Sequence, residues 1–468
     1  MPLCRVPETL FGMAATTIVG ARGKAKDRTG PRSGGSFVAP QTALQVNKRV
    51  LYLSLFLVGF GLRIGFVIWK HTYLTVHGGI LPFGAEICSI AERIAEGRGF
   101  SSPFYIESGP TAWIAPVYPY MMALLFRVFG VWSAASAFAM IALQCMMAGA
   151  TGISIYALGT RTVGARIGLW ASWIWTVSPI FFRWPVSWIW DFTASALLVS
   201  WVLVVTLDVA EKGTLKLWLQ LGAIWALITL TNPAPLSIMP FTVLVAAYTN
   251  YKAGAKWIRP LVYSGALFAA LVSPWLIRNY AVFHRPVFMR SNYWFEFHLG
   301  NYHFSNGIGY SGKHPNNNPA VLAQYLKWGE PQFIDYYKKD AFDFVRKYPR
   351  EFLDLTAHRT LWFWDGTSLM YYGPLEWWAP WKFWPLSLLG WLGLLFVLTR
   401  RPRGWILLSA LLLIYPIPYY LAYPSVKYRH LLEPELLLLS VYFAAVVWGE
   451  TAGRFTLTRF QSPTLSKS

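Results

Sequence analysis

Apolar residues run along this chain in blocks of about 20, the length a helix needs to cross a bilayer. Such blocks fall at 50–69, 135–159, 165–183, 192–209, 258–280, 381–399, 404–423 and 431–449. Two shorter ones, 216–231 and 235–249, flank Asn232 and Pro233. Another apolar stretch, 116–130, is short and broken by Pro116, Pro119 and Arg127. The pattern predicts an all-α polytopic membrane protein with about ten transmembrane helices, within a range of roughly 10–13. Between the blocks, Ala85–Glu96 has a helical apolar stripe that Gly97 and Gly99 end. Two amphipathic helices are expected over 319–328 and 331–348, after the Asn316–Pro319 turn.

Composition supports the same class. Charged residues are 13% of the 468, against 55% hydrophobic and 17% aromatic, whereas a soluble domain has roughly 25% charged. So few charges cannot coat a water-facing surface of this size. A soluble enzyme, a disordered regulator and a disulfide scaffold are all disfavoured. Cys4, Cys88 and Cys145 have no paired spacing, so they supply neither a disulfide framework nor a zinc site. No internal repeat and no glycine-rich phosphate loop is present.

The formal charge of +20, from 41 basic and 21 acidic residues, would suggest nucleic acid in a soluble protein. In a membrane protein, basic residues collect in cytoplasmic loops. If Lys48 and Arg49 hold the start of the first span inside, the segment 70–115 is outside. A crossing at 116–130 would then put Lys252, Lys256, Arg259, Arg400, Arg401 and Arg403 outside as well. If 116–130 lies along the interface, those residues fall inside together with Arg161, Arg166, Lys212, Lys216, Arg454 and Arg459. The expected organisation is a disordered basic cytoplasmic tail (1–47), then an N-terminal transmembrane module (48–280) with a first outer loop (70–115). A large outer loop region (281–380), C-terminal transmembrane helices (381–450) and a cytoplasmic tail (451–468) follow. Interfacial helices belong to the two outer loops. The charge excess is thereby a marker of topology, not of nucleic-acid binding.

The exceptions to that rule carry the candidate chemistry. Glu86 opens the helix after the first span, where a carboxylate either caps the helix dipole or serves as a general base. Asp191 sits among Trp188, Trp190 and Phe192 at the outer edge of a span, a costly place for an acid without a partner or a task. Arg183 is one candidate partner. On the outer side stand Arg278, Arg285, Arg290, Lys427 and Arg429, either snorkelling to head groups or forming a phosphate site. His430 is expected to be a hydrogen-bonded neighbour. The aromatic runs Tyr293–Phe295, Trp362–Trp364 and Trp377–Trp378 are expected mainly in the interfacial belt.

Several local sequences, in this order, resemble bacterial GT-C glycosyltransferases of the family 39-like group. That group includes protein O-mannosyltransferases and lipid A aminoarabinose transferases. The residues are Ile90–Ser101 after the acid, Gly109–Trp113, Pro116–Tyr120, Phe129–Gly130, Pro274–Tyr280, Leu299–Asn301 and Lys427–His430. The resemblance touches most of 50–449 and implies a GT-C architecture. It also implies a sugar moved from a polyprenyl-phosphate donor, on the outer face of the cytoplasmic (inner) membrane, with the site facing the periplasm. In the family an Asp-Glu pair begins five residues before the helix Ala; here Glu86 stands five before Ala91 and Ile87 replaces the second acid. That change weakens the case for a metal held by an acidic pair. The family's second acid corresponds to Asp191. The phosphate-binding Lys of some relatives is absent at Ile114–Pro116.

From these residues an inverting membrane glycosyltransferase, transferring a hexosyl or pentosyl group, is expected. Glu86 takes the acceptor's proton and Asp191 orients the acceptor. Arg278, Lys427 and Arg429 bind the donor phosphate, and Trp113, Tyr118, Asn301 and His430 line the substrate. No residues are assigned to a metal; no cofactor is specified, and a divalent metal stays open. The expected partners are the polyprenyl-phosphate sugar, a lipid, glycan or protein acceptor, and membrane lipids, with no nucleic acid. A transporter or flippase of a lipid-linked or small hydrophilic substrate is the alternative. An accessory subunit with a degenerate site is a third reading, prompted by the Glu86 change and the missing Lys.

Overall fold

The computed structural model describes residues 47–74, 84–308, 311–366 and 379–452. Residues 1–46 and 453–468 of the expected tails, with Arg454 and Arg459, and the Trp377–Trp378 pair lie outside the described residues. In chain order the helices are α1 (Lys48–Lys70), α2 (Ala85–Ala95), α3 (Val117–Phe129), α4 (Ala134–Arg161) and α5 (Ala165–Val177). Then come α6 (Arg183–Ser187), α7 (Phe192–Lys212), α8 (Leu215–Thr231), α9 (Met239–Lys252) and α10 (Ile258–Phe283). The next segment holds α11 (Tyr293–Gly300), α12 (Pro319–Lys347) and α13 (Pro349–Asp365). The last group is α14 (Ala379–Arg400), α15 (Trp405–Ile414), α16 (Ile417–Leu421), α17 (Val426–Arg429) and α18 (Glu433–Ala452). Among the described residues the only β-type pairing is an isolated bridge, Ser101–Pro110.

This is an all-α, multi-pass membrane protein. Six stretches have the length and apolar composition to cross a bilayer: α1, α4, α7, α10, Phe383–Arg400 and Val426–Gly449. Val117–Phe129, Leu215–Thr231 and Trp405–Leu421 are shorter apolar stretches. The blocks expected at 165–183 and 404–423 are interrupted. α5 ends before Pro179, whose ring disfavours helical geometry at Ser178, and Ser178 is extended there (ψ 123°). In the other block Pro416 separates α15 from α16. Ahead of α9, the Asn232 side chain accepts a hydrogen bond from the Ala234 N–H at 3.1 Å, at the start of a short 3-10 turn over Ala234–Ile238.

Two large apolar cores form. One gathers buried residues of α4, α5, α7–α9, α13–α16 and α18, including Trp175, Trp218, Trp225, Leu411 and Leu438. The other joins the first loop to α2–α4 and α10–α12 through Phe104, Trp113, Tyr118, Phe295, Tyr325 and Phe333. In α12 the two expected amphipathic helices form one element with a kink. Gly329 takes φ 71°, a left-handed geometry suited to glycine, just ahead of Pro331. The kink leaves Glu330 buried, with only 4% exposure.

Helix approach depends on small residues, as is usual where lipid gives no hydrophobic drive for packing. A Cβ placed on Gly159 of α4 would stand 2.4 Å from Gly168 Cα in α5. Gly159→Ala is therefore expected to lower stability by about 1–3 kcal/mol, the usual cost of overpacking. A fall in the thermal midpoint of the detergent-purified protein would show it; an unchanged midpoint would refute the close contact.

Candidate active site

The segment between α6 and α7 carries Asp191, and one buried glutamine shapes it. Gln144, on α4, donates from Nε2 to the Pro185 and Trp188 carbonyls at 3.2 and 3.0 Å. Its Oε1 accepts from the Tyr118 hydroxyl at 2.7 Å and from the Trp190 N–H at 3.1 Å. The side-chain amide thus replaces the hydrogen bonds that an irregular backbone lacks inside an apolar bundle. Tyr118, expected to line the substrate, is fully buried in this network.

The segment is also where the first loop docks. The Gly84 N–H donates to the Ile189 carbonyl at 3.2 Å, and a Cβ on Gly84 would stand 2.2 Å from the Trp190 ring. Only glycine permits that approach, and it brings the start of α2 against the Asp191 segment. Glu86 lies in the first turn of α2, and its neighbour Ile87 is fully buried in the apolar core. No second carboxylate therefore accompanies Glu86 from position 87. Among the described residues no group of three or more His, Cys, Asp or Glu is arranged to hold a metal ion.

Glu86 meets the second loop. Asn316 Nδ2 donates to Glu86 Oε1 at 3.2 Å, and His314 Nε2 stands 3.3 Å from the same oxygen. Burial pushes the Glu86 carboxyl up, opposed by its own backbone N–H and by Lys427. Burial likewise raises Asp191, to about 7, against the opposing charges of Arg290 and Lys427. The His314 imidazole is held down at about 4, first by burial. The charge of Lys427 acts on Glu86, Asp191 and His314 alike. Arg183, the expected partner of Asp191, lies against the Trp184 ring.

Arg290 has no hydrogen bond or ion pair among the described residues, while its charge is felt by Asp191 and Tyr293. It borders a cavity of about 460 Å³ whose walls include Leu236, Phe283, Phe288, Ser291 and Tyr419. Asp191 Oδ1, Asn316 Oδ1 and Glu296 Oε2 are buried without a hydrogen-bond partner. Glu296 belongs to the same surroundings, since its charge acts on His314 and Tyr428. Unpartnered buried acceptors cost roughly 1–3 kcal/mol each, and such exceptions call for an explanation.

The other expected site residues are engaged elsewhere. Arg278 spends its two terminal nitrogens on the carbonyls of Thr111 and Phe100, both at 2.7 Å, and stacks near Trp275. Arg429 is fully buried, pairs with Glu433 at 3.5 Å and donates to the Phe383 carbonyl. His430 bonds Glu433 at 2.7 Å and stacks on Trp175, as a hydrogen-bonded neighbour. Asn301 receives Arg359 on Oδ1 and donates to the Phe297 and Leu421 carbonyls, joining α11, α13 and the end of α16. Trp113 is 1% exposed, but its ring borders His314 at 6.1 Å.

Gln144, Glu330, His314 and Asn316 escaped the sequence-level selection. For Gln144 a signal existed, an amide inside an apolar block. For Glu330 the Gly329–Pro331 bracket was the hint. The carboxylate of Glu330 accepts from Thr111, from the Ala112 N–H at 2.8 Å, and from Ser291 and Tyr325 at 2.8 Å each.

Residues 113–277, about a third of the chain, match the family model described as Dolichyl-phosphate-mannose-protein mannosyltransferase. The matched stretch contains Asp191 and begins after Glu86. No curated protein sequence matches the chain. Similar solved structures include the Archaeoglobus fulgidus oligosaccharyltransferase with zinc and sulfate (15% identity, TM-score 0.46, 86% of this chain and 50% of that one). Another is AglB of the same organism with an inhibitory peptide and a dolichol-phosphate (14%, 0.47, 89% and 53%). ArnT from Cupriavidus metallidurans bound to undecaprenyl phosphate is a third (13%, 0.35, 86% and 79%). The chain spans about half the length of the archaeal proteins.

Gln144→Leu would strand two carbonyls, an N–H and a hydroxyl; a loss of at least about 2 kcal/mol is expected, read as a lower thermal midpoint. Asp191 gives a pH test. A carboxyl raised from 3.8 to about 7 on folding binds its proton more tightly in the native state. Its contribution to stability is full below about pH 4 and is lost as pH rises through about 7. Asp191→Asn should therefore gain stability relative to the parent across that window; parallel stability curves for the two proteins would contradict the shift.

Proposed function

We propose that this chain, like the family its residues 113–277 match, is a membrane glycosyltransferase that uses a polyprenyl-phosphate-linked sugar. The observation that carries the proposal is the docking of the α2 start on the Asp191 segment through Gly84 and Ile189, which brings together the partly buried Glu86 and the buried Asp191. The charge of Lys427 acts on both, and that of Arg290 on Asp191. In the reaction the acceptor oxygen or nitrogen attacks the anomeric carbon. The bond from that carbon to the phosphate oxygen breaks, and the electron pair leaves with the phosphate. The acceptor's proton passes to Glu86. The product is inverted at the anomeric carbon, and the released polyprenyl phosphate needs no strong acid because it is a stable anion.

Within this reaction Asp191 orients the acceptor. The buried oxygens of Asp191, Asn316 and Glu296 are acceptors suited to sugar hydroxyls. Lys427 keeps its expected place at the donor phosphate. Arg290 takes the role expected of Arg278 and Arg429, because those two guanidiniums are committed to carbonyls and to Glu433. The largely apolar cavity beside Arg290 suits the first isoprene units behind the phosphate. The site is assigned to the outer face of the cytoplasmic membrane, with a lipid, glycan or protein as acceptor and a hexose or pentose as the sugar.

Purified protein, native membranes as acceptor, and a panel of radiolabelled polyprenyl-phosphate hexoses and pentoses form the test. Glu86→Gln should cut transfer by about 10²–10⁴-fold, the usual worth of a general base, while the protein still inserts. Arg290→Ala should raise the KM for the donor more than it lowers kcat. Wild-type transfer by Glu86→Gln would refute the base.

A further inference from the structure

The second loop does more than cover Glu86. His314 and Asn316 both reach the same oxygen of that carboxylate, Oε1, at 3.3 and 3.2 Å. The tautomer of His314 follows from its other nitrogen. The Asn316 backbone N–H approaches Nδ1 at 3.3 Å, so Nδ1 accepts. A neutral imidazole that accepts on Nδ1 carries its proton on Nε2, the atom turned to Glu86. Burial favours that neutral form.

The ring is held on several sides. Phe104 and Phe295 stand at centroid distances of 5.7 Å each and Trp113 at 6.1 Å, all edge-on. The turn that presents it is braced as well. Asn318 donates to the Gly312 carbonyl at 2.9 Å and caps α12 by accepting from the Ala320 and Val321 N–H groups. An imidazole so confined costs little further entropy when it orients another group.

We propose that His314 is the positioning residue of the base: its Nε2–H holds Glu86 Oε1 and leaves Oε2 to receive the acceptor's proton. It rests on the assignment of Glu86 as base. At 3.3 Å the pair stands within ion-pair distance, and catalytic hydrogen bonds commonly form or tighten once substrate binds. Among the described residues Lys427, Tyr105 and Cys88 also act on Glu86; Lys427 acts on His314 too, and its charge is the same in both His314 variants.

Two variants separate orientation from packing. His314→Phe keeps an aromatic ring in the aromatic cage and removes the donor; His314→Gln restores an N–H near the Nε2 position. His314→Phe should lower kcat by on the order of 10–100-fold with the KM for the polyprenyl-phosphate sugar unchanged. The acid limb of its kcat/KM profile should move to higher pH, because a lost hydrogen bond to the carboxylate raises that group's pKa. His314→Gln should recover a large part of both. In the Glu86→Gln background, His314→Phe should cost nothing more. Wild-type kcat and an unmoved acid limb in His314→Phe would overturn the role, as would a His314→Gln protein no better than His314→Phe. An inactive Glu86→Gln beside a fully active His314→Phe removes only the positioning role. An active Glu86→Gln removes the base assignment itself.

Discussion

The Thr111–Ala112 dipeptide is gripped by two opposite charges, and the arrangement of both loops depends on that grip. Arg278, at the end of α10, takes the Thr111 carbonyl, while Glu330, at the α12 kink, takes the Thr111 hydroxyl and the Ala112 N–H. Ser291 closes the set by donating its N–H to the Ala112 carbonyl and its hydroxyl to Glu330. Neither charge meets the other as a close ion pair; the backbone lies between them and satisfies both. A carboxylate in such surroundings is tolerable only when its lone pairs are filled. Breaking the clamp would release the first loop, the segment after α10 and α12 together. Those are the segments whose aromatic residues enclose His314 and, through it, Glu86.

Buried arginines explain why cations that break the positive-inside pattern are not all ligands for phosphate. Arg63, Arg359 and Arg429 are each completely enclosed. Arg63 binds the carbonyls of Gly59, Trp175 and Thr176, and Arg359 those of Gly300, Gly307 and Leu421. A planar fork of donors suits helix ends and irregular turns, where carbonyls lack intrahelical partners. In an apolar medium, tying such carbonyls together is reason enough to keep an arginine. Arg278 and Arg429 belong with these. Arg290, with its guanidinium unbonded beside a cavity and Asp191, does not.

The placement of the acids is what the proposed transfer reaction draws on. Glu86 lies in the first turn of α2 and Asp191 is the residue just before α7, so both stand at helix starts beside loops. Asp191 is poised near neutrality by burial, and Glu86 is shifted in the same direction, as suits groups that exchange or share protons. Replacement of the expected Asp by Glu lengthens the arm but keeps the carboxylate; Asn316 donates to that longer arm and His314 stands beside it. Repeat symmetry, which a transporter would favour, has no counterpart in the sequence.

The chain's class was legible without coordinates, because crossing a bilayer is a local demand: length and hydropathy suffice to mark a span. The same holds for the kinked pair of helices after Asn318, written in Pro319, Gly329 and Pro331. Glu86, Asp191 and Lys427 stood out for a related reason, as charges in places where a charge is costly. Which cation faces which acid could not be read the same way. Arg278, Arg290 and Arg429 are the same residue type at similar apparent depth, and only the fold shows that carbonyls or Glu433 engage two of them. Gln144 and the Asp191 segment are joined across more than 40 residues, and Asn316 and Glu86 across 230. Partnerships at that range are set by how helices pack, and packing is decided by the tertiary structure.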